Sequence, residues 1–170
     1  MRRLFLSALG AGYLKPAPGT WGSLAAIPLA WALVSIGGPY LLCVAMGLCY
    51  ALGIAAIQKE TEASGAHDPG WIVIDEVVGQ WLALLPVAFG AWRAGVPFTA
   101  LWPGIVAAFV FFRLFDIWKP WLVGRADARD DATGVMLDDV WAGFFAAIVV
   151  IGLAILAHAG FVSQVNPADP

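Results

Sequence analysis

The chain has 170 residues, of which 61% are hydrophobic and only 12% charged, with a mean hydropathy of +0.83. A soluble domain of this size does not carry such a balance, so the composition points to an integral membrane protein. A net charge of -3 with no basic face argues against nucleic-acid binding, and Cys43 and Cys49, both inside one apolar run, offer neither a disulfide framework nor a common zinc spacing.

In chain order, Met1-Arg2-Arg3 followed by Leu4–Leu9 has the outline of a signal peptide, but the apolar part is short and Lys15 follows closely. The segment is therefore expected to stay uncleaved. Gly10 to Ser23 combines glycines, prolines and hydroxyls just ahead of an apolar run, with Thr20 expected as the helix N-cap. Free backbone N–H groups at the positive end of a helix suit a phosphate, although a capped turn entering the membrane explains the same residues. No Gly-Lys-Ser/Thr is present, so this is not a Walker A loop. Lys15 could equally meet anionic lipid at headgroup level.

No charge lies between Lys15 and Lys59, and that stretch divides at Gly37-Gly38-Pro39 into Trp21–Ile36 and Tyr40–Ile57. A turn is expected at His67-Asp68-Pro69-Gly70. Further apolar runs at Val77–Trp92, Val96–Phe112 and Val140–Phe161 bring the candidate spans to five, several near the lower length limit for crossing a bilayer. The expectation is a single all-α domain over 1–170, a polytopic membrane bundle of about five apolar helices, with full crossing by the short first and third spans left open. Arg2, Arg3, Lys15, Lys59, Arg113, Lys119, Arg125 and Arg129 all fall in segments that the positive-inside rule places in the cytoplasm; only Arg93 disagrees.

The acidic residues are concentrated. Five of the twelve fall in 58–76 and six in 113–139, and each window contains an adjacent pair at the start of an apolar run, Asp75-Glu76 and Asp138-Asp139. Carboxylates beside a bilayer-length apolar segment are costly to keep ionised without a cation. Each pair is expected to begin a helix, both helices running the same way across the membrane, with Gly79 and Gly143 each on an acid's face four residues on. Oxygen ligands without nearby Cys or paired His favour Mg²⁺ or Mn²⁺ over zinc. Capping charges at helix starts are the plainer explanation of one such pair, less so of two. Arg113, Asp116 and Lys119, at three-residue spacing before Pro120, suit either a salt-bridged helix end or a grip on phosphate. Asp127, Asp130 and Asp131 read as solvated loop without a role, and His67 and His158 as incidental.

Four segments, Gly12…Lys15-Pro-Ala-Pro-Gly-Thr-Trp-Gly-Ser23, Val73-Ile-Asp75-Glu76-Val-Val-Gly79, Phe112-Arg-Leu-Phe-Asp116-Ile-Trp-Lys119-Pro120 and Gly134-Val-Met-Leu-Asp138-Asp139-Val-Trp-Ala-Gly143, together resemble the phosphatidylglycerophosphatase A family over about residues 8–160. The resemblance implies a bacterial inner-membrane, Mg²⁺-dependent enzyme that removes the terminal phosphate from phosphatidylglycerophosphate at the cytoplasmic surface. Leu122 stands where the family often has proline, a departure expected to alter a turn and not the chemistry. On this reading Asp75, Glu76, Asp138 and Asp139 hold one or two Mg²⁺. Asp75, Glu76, Asp116 and Asp139 form the catalytic set, Asp116 as a further ligand or the base. Lys15, Thr20, Ser23, Arg113 and Lys119 bind the phosphate. Attack by water and a transient aspartyl-phosphate both remain open.

Other phosphatase classes lack their motifs here: there is no Cys-x5-Arg loop, no Asp-x-Asp-x-Thr, and no Lys/Arg/His set of the vanadium-haloperoxidase type. A CDP-alcohol phosphotransferase is echoed only by Gly134-x3-Asp138. A small ion-coupled transporter is the alternative of a different class, and it predicts acids near mid-span instead of at span ends.

Overall fold

A computed structural model describes residues 1–65, 69–129 and 131–165. Among them six α-helices follow in order, α1 (Arg2–Leu6), α2 (Pro18–Ser64), α3 (Ile74–Ala94), α4 (Trp102–Trp118), α5 (Leu122–Asp127) and α6 (Ala132–Val165), with short 3-10 turns at Ala11–Tyr13 and Phe98–Leu101. No strand occurs among the described residues. The turn expected around His67 and Asp68 lies outside them, as does Asp130.

The two expected N-terminal spans form α2, 47 residues long and broken at Gly37 and Gly38. Gly38 has φ 67°, a left-handed conformation open to glycine at little cost, and Pro39 restarts the helix behind it. The break folds the helix back on itself. Tyr40, just past it, meets Phe89 and Trp92 near the end of α3, with ring centroids 5.5 and 5.6 Å apart. Gly53, further along the second arm, packs against Ile74 at the start of α3 and against Met136. The first arm runs the other way, with Gly22 against Val73 and the Ala26 carbonyl accepting a 2.9 Å hydrogen bond from Trp81 Nε1. Among the described residues four helical stretches, α2, α3, residues 98–118 and residues 132–159, are long and apolar enough to cross a membrane; counting the two arms of α2 separately gives about the five expected.

Burial separates their roles. α3 is enclosed over most of its length, presenting Val77, Val78, Trp81, Leu84 and Val87 to its neighbours. The others turn apolar side chains outward: Val44, Leu48 and Leu52 on α2, Val106 and Val110 on α4, Ile148 and Ile155 on α6. Such faces suit lipid and not water.

Two glycines set the spacing between α3 and α6. A Cβ on Gly79 would lie 2.5 Å from both the Asp139 carbonyl oxygen and the Phe112 ring, and one on Gly143 would run into the Gly79 backbone. The helices therefore touch backbone to backbone, as small residues permit in membrane bundles.

The N-terminal segment is tied to the same end of the bundle. Arg2 Nε and Arg3 Nε donate to the buried Glu60 carboxylate at 2.8 and 2.9 Å, and Val73 N–H donates to the Leu6 carbonyl at 2.9 Å. Tyr13 stacks on Trp71 with centroids 5.6 Å apart.

Candidate active site

Three polar segments far apart in sequence converge at one end of the bundle because α3 and α6 start there and α4 ends there. Asp75 and Glu76 occupy the first turn of α3. Asp116 is in the last turn of α4, paired with Arg113 one turn earlier at 2.5 Å, the i,i+3 geometry expected from the spacing. Asp138 and Asp139 project from α6, 7% and 2% exposed.

One expectation about this end is corrected. The Asp138-Asp139 pair does not begin its helix: α6 already starts at Ala132, capped by Asp131, whose Oδ1 accepts the Gly134 N–H at 2.6 Å. Nothing between Ala132 and Leu137 stops a helix, because Gly134 fits closely against the Arg129 and Ala126 carbonyls. The pair therefore sits more than a turn inside α6, beyond the strongest reach of the helix dipole.

The carboxylates form two overlapping groups. One ligand atom each from Asp75, Glu76 and Asp139 lies within 4.8 Å of the others, and the same holds for Asp116, Asp138 and Asp139. Asp139 belongs to both. Asp139 Oδ1 and Glu76 Oε2 are buried without a hydrogen-bond partner among the described residues. An all-oxygen set with orphaned carboxylate atoms suits a hard divalent cation. If all five acids are ionised, Arg113 and Lys119 offset two charges and leave three, which low-polarity surroundings hold only with a further cation.

These acids line a cavity of about 480 Å³ together with Gly70, Ile72, Lys119, Asp127 and Arg129. Lys119 caps α4 in the left-handed region (φ 50°), which turns it out of the helix. Its ammonium donates to Asp138 Oδ2 at 2.8 Å and to Asp127. Burial pushes the Lys119 pKa down, but its hydrogen bonds to Asp127 and Asp138 and their charges outweigh that and hold it above the usual lysine value.

The start of α2 abuts the acids from the other side. Gly19 packs against the Glu76 carboxylate, and a Cβ there would also lie 3.1 Å from Arg113 Nη1. Ser23 Oγ donates to the Gly19 carbonyl at 2.8 Å and accepts a long 3.5 Å hydrogen bond from Arg113. Thr20 is not the N-cap. α2 starts two residues earlier, with Pro18 at its first position and Ala17 before it, because the fixed φ of proline suits that place. Thr20 is half-buried in the first turn; Lys15 is exposed and Arg113 half-buried, and neither lines the cavity, although Arg113 is paired with Asp116. Leu122 opens α5, a position proline also suits, so the departure there leaves the short helix in place.

Several residues here carried no readable signal. Asp127 is on the cavity wall and Glu60 anchors the N-terminus, each through partners that sequence spacing does not reveal. Gln80 had one: it is an amide alone in an apolar span, four residues after Glu76, fully buried with both amide atoms unpartnered among the described residues.

The sequence-family model described as phosphatidylglycerophosphatase A matches residues 4–154. A Haemophilus influenzae phosphatidylglycerophosphatase A is 40% identical over 88% of this chain and 86% of its own length, and its Escherichia coli counterpart is 34% identical over 85% and 78%. A Bacteroides thetaiotaomicron protein, provisionally named a phosphatidylinositol-3-phosphatase, is 34% identical over 85% of this chain and 87% of its own. No solved structure matches.

Proposed function

Since the chain belongs to the phosphatidylglycerophosphatase A family, we propose that it hydrolyses the terminal phosphomonoester of phosphatidylglycerophosphate, releasing phosphate and phosphatidylglycerol for phospholipid synthesis, with Mg²⁺ as cofactor. The observation that carries this reading is the pair of carboxylate groups sharing Asp139 at the mouth of membrane-length helices.

Asp75, Glu76, Asp138 and Asp139 are the residues to hold one or two metal ions, since their oxygens are the ones gathered and partly unsatisfied. Bound Mg²⁺ supplies the Lewis acidity that draws charge from the phosphoryl oxygens in the transition state. Lys119 meets those oxygens from the cavity wall. Of the remaining phosphate candidates, Arg113 and Ser23 are joined to each other beside Asp116, which Arg113 also steadies, whereas Thr20 and Lys15 lie off the cavity wall and would need the headgroup to reach past it. Asp116 either takes the proton of the attacking water or joins the ligands. An aspartyl-phosphate route would use the same carboxylates.

We place the site on the cytoplasmic face of a bacterial inner membrane. In support, the cavity end of the bundle carries Arg2, Arg3, Lys119 and Arg129, whereas Arg93 lies in the last turn of α3 at the opposite end. The lipid's glycerophosphate headgroup then reaches the cavity while its acyl chains stay beside the outward apolar faces.

The test is phosphate release from phosphatidylglycerophosphate in detergent, with Mg²⁺ and then EDTA, for the wild type, Asp75→Asn and Asp139→Asn, with phosphatidylinositol 3-phosphate as a comparison substrate. Release by the wild type, lost in EDTA and in both variants, is expected. Undiminished release in EDTA or in both variants sinks the metal assignment, and no release by the wild type sinks the substrate.

A further inference from the structure

We propose that Asp127 is a positioning residue: with Asp138 it clamps the Lys119 ammonium so that a single N–H is left to face the cavity. The inference rests on the reading of Lys119 as a phosphate ligand and adds to it the device that fixes the ligand in place.

A lysine at a helix end has a long, freely rotating side chain, and holding it in one geometry needs partners that are themselves held. Here both are. Asp138 is buried on α6, where its other oxygen accepts the Asp139 N–H at 2.9 Å. Asp127 comes from α5, which is wedged between the end of α4 and the start of α6. Gly124 presses on the Lys119 carbonyl, where a Cβ would lie 2.7 Å away, and Val123 N–H donates to Pro120 O at 3.0 Å. On the far side the Ala126 and Arg129 carbonyls pack against Gly134, with Cβ distances of 3.0 and 2.6 Å. Val123 and Ala126 are buried, so α5 has one face inward and presents Asp127 along the cavity wall.

An ammonium has three N–H donors. Two are taken, by Asp138 Oδ2 and Asp127 Oδ1, and the third is directed by them. Without Asp127 the ammonium keeps one anchor and regains rotation about its terminal bonds. Phosphate then meets a mobile charge instead of an oriented donor. An exposed lysine–aspartate pair contributes little to folding, so a merely structural Asp127 leaves ligand binding unmoved.

The experiment uses the full chain in detergent and measures both phosphate release and, without turnover, the dissociation constant for the methylene-phosphonate analogue of phosphatidylglycerophosphate. Wild type, Asp127→Asn, Asp127→Glu, Lys119→Ala and the Asp127→Asn/Lys119→Ala double variant are compared. Asp127→Asn is expected to weaken analogue binding about tenfold, as loss of an outer-shell partner does. Its unfolding temperature should stay unchanged, Asp127→Glu should recover part of the loss, and the double variant should bind like Lys119→Ala alone. Wild-type binding by Asp127→Asn, or an equal loss in the Lys119→Ala background, overturns the clamp while leaving the activity standing. Should Asp127→Asn fail to fold, Asp127→Ser, which also removes the carboxylate, carries the same comparison. A wild type that neither binds the analogue nor releases phosphate overturns the functional reading, and the clamp with it.

Discussion

Adding one methyl group at Gly79 is expected to separate the two halves of the carboxylate site without touching a carboxylate. In the Gly79→Ala protein the new Cβ would stand 2.5 Å from the Asp139 carbonyl oxygen and 2.5 Å from the Phe112 ring, against an ordinary contact of 3.4 Å or more. The ring can rotate, but the carbonyl belongs to the α6 backbone, so α6 must withdraw by about 0.9 Å or tilt. Over-packing of this kind costs about 1–3 kcal/mol, which lowers the unfolding temperature while leaving the helices formed. The effect on chemistry is larger. Asp139 moves with its own carbonyl, away from Asp75 and Glu76, and a misplacement near 1 Å can cost about a hundredfold in rate. Phosphate release and thermal unfolding measured together in detergent, with Gly152→Ala as the control because nothing lies within 4 Å of a Cβ there, give the comparison. A Gly79→Ala protein within about twofold of wild-type turnover would show that the α3–α6 crossing does not set the site.

Removing divalent cations with EDTA is expected to lower the unfolding temperature as well as abolish release, because a cation bound only by the folded site stabilises it, and Mg²⁺ should restore both; an unchanged unfolding temperature would refute a resident metal. Glu60→Gln removes the charge that two arginines share and should loosen α1, seen as faster hydrogen exchange over residues 2–6; unchanged exchange would show that other contacts hold the segment. In a background with Cys43 and Cys49 replaced by alanine, single cysteines at Gly37 and Lys15 should react with impermeant reagents from opposite sides of the membrane, at Gly37 from outside. Labelling of both from one side would refute a crossing by the first arm of α2.

The spans were legible because a bilayer imposes a simple demand: an uncharged run long enough to cross, stopped by residues that break a helix. Gly37-Gly38-Pro39 met it within a single hydrophobic stretch, and the structure folds there. Asp75 and Glu76 were legible for a related reason, since Val73 precedes the helix and the acids fall in its first turn. Asp138 and Asp139 were recognised as a pair but placed at a helix start, because apolarity begins at Val140 while helicity begins eight residues earlier. A helix that leaves the apolar slab carries no hydrophobic marker of its own end. The run 125–131 was illegible for the opposite reason: charge density there matches solvated loop, yet Asp127 faces a lysine eight residues back and Asp131 caps α6.

The same division explains why the site stands where it does. α3, α4 and α6 meet where Gly79 leaves room for the Phe112 ring and the Asp139 carbonyl, which fixes the depth at which their carboxylates can converge. Their charge could not be gathered in the middle of the spans, where burying carboxylates without a counter-charge is costly. The end of the bundle, one turn short of the Gly79–Gly143 contact, is the level at which the five carboxylates gather around one cavity. Asp139, common to both carboxylate groups and one turn before Gly143 on the crossing face, is the residue on which those two requirements meet.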